Sequence, residues 1–163
     1  MEISTIEILL RLVVAVILGS IVGIERTMAG KNAGMRTFAL VSMGSALFIV
    51  ISEMVMFTLA NPLSLDPLRI ASQIVVGIGF IGAGLVFHND RNMKASGLTS
   101  AAGLWVAAGI GMACGYGLYA IGIIATLLTL LIFTLLWYIE KGFKKVSYGD
   151  DVAEKENSAA LHE

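Results

Sequence analysis

The chain has 163 residues, of which 57% are hydrophobic and 14% are charged, well below the charged share of about 25% in soluble domains. Its net charge of −1 provides no basic field for nucleic acid, and its single cysteine, Cys114, excludes an internal disulfide and a cysteine-based zinc site. Residues 95–139 contain no Asp, Glu, Lys, Arg or His. As one helix they would be about 67 Å long, roughly twice the bilayer core, so the run must fold back, most simply at residues 114–117. The composition therefore predicts an all-α integral membrane bundle.

Five apolar segments are long enough to span a bilayer. In chain order they are Ile6–Ile24, Thr37–Leu59, Arg69–Phe87, Gly97–Cys114 and Leu118–Tyr138. Residues 1–140 are expected to form one five-span domain, and residues 141–163 a short charged cytoplasmic tail that is disordered. The chain starts with acidic residues instead of the basic start of a signal peptide, which predicts a retained first span.

The distribution of Lys and Arg predicts the orientation of these spans. Nine of the eleven basic residues lie in residues 25–36, 88–96 and the tail, and the opposite side has only Arg11 and Arg69. Because basic loops stay in the cytoplasm, the N-terminus is expected outside and the C-terminus inside.

Small residues in the third and fourth segments predict close helix packing, because helices in lipid associate through close backbone contact. They are Gly77, Gly79, Gly82 and Gly84 in the third segment, and Thr99, Gly103, Ala107, Gly111 and Gly115, at four-residue spacing, in the fourth. An alternative for the third segment is that its glycines let the backbone bend or line the path of a solute. Residues 77–82 also match G-x-G-x-x-G, but they lie within a span and not after a strand, so they do not indicate nucleotide binding.

Charged residues within spans are costly and therefore indicate a partner or a role. Glu7, Arg11, Glu53, Arg69 and Gln73 are all expected near the outer side. We predict a polar cluster in which the two arginines pair with Glu7, Glu53 or Asp66. The alternative is that each side chain reaches the headgroups separately.

A second polar group is expected on the inner side. Glu25 and Arg26 end the first segment, and Arg36 precedes the second, so Glu25 is a candidate partner for Arg36. Thr37 is the predicted N-cap of the second helix. The alternative for these basic residues is ordinary anchoring on the cytoplasmic side.

The sequence contains no recognisable catalytic set. It shows no Ser/His/Asp or Cys/His arrangement at one membrane depth, and no carboxylate or histidine spacing typical of a metal site. The chain is therefore not expected to be an enzyme, and no metal or cofactor is expected.

Residues 9–117 resemble the MgtC/SapB family of bacterial membrane proteins. The resemblance rests on five motifs in the family's order. They are Gly23-Ile-Glu25-Arg26, Gly34-Met-Arg36-Thr37, Arg69-Ile-Ala-Ser-Gln73, residues 77–84 with four glycines, and residues 97–105 from Gly97 to Trp105. Met35 and Ser100 stand where Leu and Thr are usual.

The resemblance implies a protein of the bacterial cytoplasmic (inner) membrane with a regulatory or stress-adaptive role when magnesium is scarce. Such a role would act through contacts with other membrane machinery, which for the best-known member includes the F-type ATP synthase. That member carries a cytoplasmic C-terminal domain where this chain has about 23 charged-tail residues, so a role needing that domain is not carried over. The expected partners are the bilayer and either a second copy or another membrane protein. The alternative function is a small-solute or ion transporter or channel subunit.

Overall fold

The protein is all-helical in this computed structural model, which describes residues 3–58, 66, 68–87 and 97–139. The helices are α1 (Thr5–Met28), α2 (Met35–Thr58), α3 (Arg69–Phe87), α4 (Leu98–Gly115) and α5 (Tyr119–Leu131), and a π-helical turn, Ile132–Leu136, follows α5. No strand occurs within the described ranges. The predicted all-α class and the five spans are confirmed, since all five helices are long and apolar enough to cross a bilayer when α5 is followed to Ile139. The predicted tail, residues 141–163, lies outside the described residues.

Local sequence signals fix where α1 and α4 begin or end. Ser4 caps α1 by accepting from the amide of Glu7 at 3.2 Å, the serine half of a capping box. Gly30 and Gly117 have positive φ angles of 65° and 74° and follow α1 and α4. At each end the two returning backbone hydrogen bonds of a Schellman motif are present, so a left-handed residue, for which glycine is best suited, closes each helix.

The start of α2 is capped from outside the helix. The helix begins at Met35, and the Met35 amide donates to the hydroxyl of Thr27 at 3.0 Å. Thr27 in turn donates to the carbonyl of Gly23 at 3.1 Å. The predicted N-cap, Thr37, is therefore wrong, because Thr37 lies within the first turn and α1 supplies the acceptor.

The centre of the bundle is a tight crossing of α1, α2 and α4 around Ser42. A Cβ atom added to Gly19 of α1 would lie 2.7 Å from the Cβ of Ser42. A Cβ atom added to Gly111 of α4 would overlap the Ser42 carbonyl oxygen and lie 2.8 Å from its Cα. Only glycine permits these backbone approaches, and this explains how helices with little hydrophobic drive between them pack in lipid.

The other two helices flank this core. The face of α3 that packs on α4 includes Ile78, which is buried, and Gly82, where an added Cβ would lie 3.6 Å from the methyl carbon of Ala101. Helix α5 approaches α1 and α4 at Gly122, where an added Cβ would lie 3.2 Å from Leu18 and 3.3 Å from the Cys114 sulfur. The chain divides after Thr129 into two compact units, so all of these contacts lie within the first unit. In the second unit the rings of Trp137 and Tyr138 meet edge-on.

Candidate functional site at the Arg11 end of the bundle

Arg11 is a charged residue held almost entirely inside the helix bundle. Only 6% of its surface is exposed. Its Nη1 donates to Glu53 Oε2 at 2.5 Å and to the carbonyl oxygen of Gly115 at 2.7 Å. Its Nη2 donates to Glu7 Oε1 at 2.6 Å. These contacts form what we name the Arg11 cluster, made of Glu7, Arg11, Glu53 and the Gly115 carbonyl.

Three helices supply the members of the Arg11 cluster. Glu7 lies one turn before Arg11 on α1, in the favourable acid-first i,i+4 order. Glu53 comes from α2, and Gly115 is the last residue of α4. The final carbonyls of a helix have no partner within it, and the negative end of its dipole favours a cation. Arg11 therefore ties α1 to α2 and also caps α4.

The two carboxylates differ in exposure. The side chain of Glu7 is 45% exposed and that of Glu53 is 28% exposed, whereas the Arg11 side chain is 8% exposed. Removing a partner from a buried charge costs more than removing one from an exposed charge. Glu53 is therefore the more important of the two acids for the stability of the cluster.

Tyr116 adjoins the Arg11 cluster in the turn between α4 and α5. Its burial raises the pKa of the phenol above the usual value of 10.0, and the negative charges of Glu53 and Asp66 raise it further. All three influences favour the neutral phenol. Tyr116 is thus a native reporter of negative charge at this end of the bundle.

Arg69 was predicted to pair within this cluster, with Gln73 one turn deeper on the same face, and the structure leaves Arg69 out of the cluster. Both residues lie exposed at the start of α3, and neither side chain has a hydrogen bond or ion pair with another described residue. The Asp66 carboxylate accepts from the backbone amide of Leu68 at 2.9 Å. The structure therefore brings Arg11, Glu7 and Glu53 together but not Arg69.

The opposite end of α1 carries a second ion pair. Arg26 is buried, and its Nε donates to the carboxylate of the neighbouring Glu25. Arg36 is exposed and has no ion pair with any residue that the structure describes. The expected pairing of Glu25 with Arg36 is replaced by pairing with Arg26, since Arg26 turns inward where Arg36 points away.

The small residues of α4 face into the chain. Gly103, Ala107, Gly111 and Gly115 are buried, whereas Thr99 is exposed and does not belong to this face. An added Cβ at Gly115 would lie 2.7 Å from Ile49 and 2.9 Å from the carbonyl of Ala46, both on α2. Because α2 occupies this surface, α4 does not offer it to a partner protein.

Three of the four α3 glycines, unlike those of α4 that meet α2, face open space. A Cβ added to Gly77, Gly79 or Gly84 would meet none of the described residues within 4 Å outside its own turns of helix, whereas Gly82 faces Ala101. Most glycines in α1, α4 and α5 are in close contact with another helix, although Gly109 is also open. The structure thus leaves one side of α3 uncovered by the rest of the described chain.

The Arg11 cluster consists of ion pairs and hydrogen bonds that hold helices together. A guanidinium stays protonated and cannot act as a general base. Among the described residues, no group of three or more His, Cys, Asp and Glu side chains is placed to hold a metal ion. The cluster can hold three helices together.

Two groups that contact Arg11, the Gly115 carbonyl and Gly117, could not be predicted from the types of residue in the sequence. The Gly115 carbonyl is a backbone group, and its role depends on where α4 ends relative to Arg11. Gly117 approaches the guanidinium, since an added Cβ would lie 3.5 Å from Arg11 Nη2. The sequence predicted that Gly117 lies in the turn at residues 114–117, but it did not predict that this turn contacts Arg11 of α1.

A bundle of five span-length helices with buried arginines near its ends defines a multi-pass membrane protein. The family model that matches the chain is that of the MgtC family, over residues 12–142. The chain therefore belongs to the MgtC family, as its motifs indicated.

Three relatives illustrate the similarity. The chain is 47% identical to YhiD of Escherichia coli K12 over 133 residues, which cover 78% of the chain and 60% of YhiD. The name of that relative describes it as a putative magnesium transporter. It is 38% identical to protein SrpB of Synechococcus elongatus, covering 74% of the chain and 70% of SrpB. It is 40% identical to protein MgtC of Brucella abortus, covering 75% of the chain and 48% of that protein. The chain thus spans about 60% of YhiD and about half of MgtC. No solved structure matches.

Proposed function

We propose that this protein is a regulatory, stress-adaptive component of the bacterial cytoplasmic membrane that acts when magnesium is scarce. It acts through contacts with other membrane machinery and not as a carrier or an enzyme. The family membership and the magnesium-related name of YhiD support the physiological setting. The distribution of Lys and Arg supports the cytoplasmic membrane with the C-terminus inside.

The observation that carries this proposal is the closed crossing at Ser42. The buried charges lie at two ends of α1, with Arg11 and Arg26 fifteen positions apart, or about 22 Å along the helix. Between them, Gly111 lies against the backbone of Ser42, and Gly19 lies against the Cβ of Ser42 and the carbonyl of Phe38. An ion crossing the core of one protomer needs polar groups or water at that depth. Instead, the three helices meet there so closely that an added methyl group would clash, and the buried hydroxyl of Ser42 is enclosed between them.

A flux measurement on the purified chain tests the proposal. The protein is reconstituted into vesicles that enclose a magnesium-sensitive dye, and an inside-negative potential is imposed. We expect Mg²⁺ entry equal to that of protein-free vesicles, while the same chain restores growth of a deletion strain in low magnesium. Mg²⁺ entry above the protein-free rate would overturn the proposal, and so would failure to restore growth by a chain shown to be folded in the membrane.

The second candidate, a small-solute or ion transporter, is favoured by the uncovered side of α3. Gln73 and three open glycines lie on that helix and could line a path between copies. The same vesicles separate the two functions. A transporter would show entry that Gln73→Ala reduces, whereas Val75→Ala, a similar truncation on another side of α3, would leave the entry unchanged.

A further inference from the structure

The uncovered side of α3 has the spacing of a helix-pairing seam. Among its exposed residues, Arg69, Gln73, Val76, Phe80 and Ala83 form a row at alternating steps of four and three, and Asp66 lies three positions before the helix begins at Arg69. This is the a/d spacing with which two nearly parallel helices interlock. We name these six residues the α3 seam.

The α3 seam lies opposite the face of α3 that the chain already uses. Ala71, Ile78 and Leu85, at the f positions of the same heptad, are all partly or fully buried. Ile78 is 7% exposed, whereas Val76 and Phe80 on the seam are 70% and 84% exposed. One side of α3 therefore faces the rest of the bundle, and the other has the residue pattern of a second helix contact with none of the described residues on it.

The amide side chain of Gln73 is energetically unfavourable in this apolar helix unless another polar group hydrogen-bonds to it. It lies at an a position, one turn into an apolar helix, and its amide has no hydrogen bond to a described residue. An amide both donates and accepts, so two Gln73 side chains at the same level satisfy each other. A polar residue at an a position selects a parallel pairing in fixed register.

The charges at the end of the α3 seam also fit a second copy. Asp66 and Arg69 are both exposed and lie three positions apart, with Arg69 the first residue of α3. Two copies inserted in the same orientation share a two-fold axis along the membrane normal, so their α3 helices run parallel. That axis brings two carboxylates and two guanidiniums into one layer, where each cation has an anion of the other copy within reach.

The open glycines flank the α3 seam on both sides. Gly77 and Gly84 occupy e positions and Gly79 a g position, and a Cβ there would meet nothing within 4 Å from the described residues beyond its own turns of helix. A glycine within a helix costs about 0.5–1 kcal/mol relative to alanine and gains nothing from facing lipid. Beside a second helix it allows close approach, as Gly19 and Gly111 do within the core.

From these observations we propose that the protein forms a parallel homodimer through the α3 seam, with Gln73 hydrogen-bonded to Gln73 of the second copy. The second copy is favoured over a different protein because the seam's amide and its paired charges complement themselves. This inference goes beyond the proposed function and does not rest on it. A dimer is compatible with either regulation or transport.

Single-cysteine crosslinking in native membranes tests the dimer. In a Cys114→Ala background, Val76→Cys and Phe80→Cys are placed on the α3 seam. Ile81→Cys is the matched control, because Ile81 is 47% exposed on the same helix but points away from the seam. Facing a or d positions bring Cβ atoms near disulfide distance, so we expect roughly ten-fold more oxidised dimer from the seam positions than from the control.

A second variant keeps the test independent of crosslinking chemistry. Gln73→Leu should weaken dimerisation about three-fold to ten-fold, and Gln73→Asn should weaken it less, because only the amide-bearing side chain can pair. Helix content and melting of each variant in detergent are measured beside it. Equal crosslinking at Ile81 and Val76, absence of dimer from folded seam variants, or a crosslink to a protein of different mass would each overturn the proposal.

Discussion

Arg11 of α1 and Glu53 of α2 lie 42 positions apart in the sequence, and Nη1 of the arginine donates to the glutamate at 2.5 Å. The same nitrogen also reaches the Gly115 carbonyl at the end of α4. One side chain thereby fixes the relative positions of three helices that have little hydrophobic drive to associate in lipid.

Glu53→Gln should destabilise the bundle by about 1–3 kcal/mol, because it removes a charge partner from a buried guanidinium. Glu7→Gln is the matched control, since it makes the same change on a more exposed partner of the same arginine and should cost about 0.5 kcal/mol. Thermal melting in detergent at neutral pH measures both. Equal losses for the two variants would show that Glu53 has no special role in the cluster.

Gly111→Ala should destabilise the protein by about 3 kcal/mol or more, because the new methyl group would overlap the Ser42 carbonyl oxygen, a backbone atom that cannot turn aside. Gly109→Ala, two residues earlier in α4, adds the same methyl group where no described residue outside the adjoining helix turns lies within 4 Å. It should be neutral or stabilising by up to about 1 kcal/mol. The melting temperatures of the two variants test this prediction. An unchanged melting temperature for Gly111→Ala would show that α2 and α4 can move apart at this crossing.

The sequence predicted the spans well because their signals are local. Apolar runs of sufficient length and the glycines of the predicted turn at residues 114–117 are each readable from neighbouring residues. The four-residue spacing in the fourth segment likewise showed that α4 has a small face. It did not show that this face meets α2, because that depends on how the helices are arranged.

The prediction of the polar site was weaker for the same reason. Glu7 and Arg11 are one turn apart on one helix, so their pairing follows from sequence. The choice of Glu53, and the exclusion of Arg69, depends on α2 lying beside α1 while α3 faces outward. Thr27 was missed as the cap of α2 because it lies eight residues before the amide it accepts from.

The orientation of the chain remains a prediction from its charges. Reporter fusions after residue 30 and after the last span should report a cytoplasmic location, and a fusion in residues 60–66 an external one, because basic loops resist translocation. Adding two lysines to residues 60–66 is an informative control, since it should raise the fraction of inverted molecules. An external signal after residue 30 in the unaltered chain would contradict the charge argument.

Thr27→Val should weaken the start of α2 by about 1 kcal/mol, because valine keeps the shape but cannot accept from the Met35 amide. Hydrogen exchange at the Met35 amide should accelerate about five-fold for that loss. Thr37→Val tests the residue that the sequence suggested as the cap, and it should leave Met35 exchange unchanged. A larger effect from Thr37→Val would restore the original assignment.

The titration of Tyr116 should report on Glu53. Burial, Glu53 and Asp66 raise the pKa of this phenol above 10.0, so the folded protein holds the phenolic proton more tightly than the unfolded chain does. The stability that this contributes is complete below pH 10 and is lost as the pH rises through the pKa of the folded state. Difference absorbance of tyrosinate between the parent and Tyr116→Phe isolates this residue from the other three tyrosines. Glu53→Gln should move the titration midpoint down but leave it above 10, because burial remains. A midpoint that Glu53→Gln does not lower would show that the carboxylate does not act on the phenol.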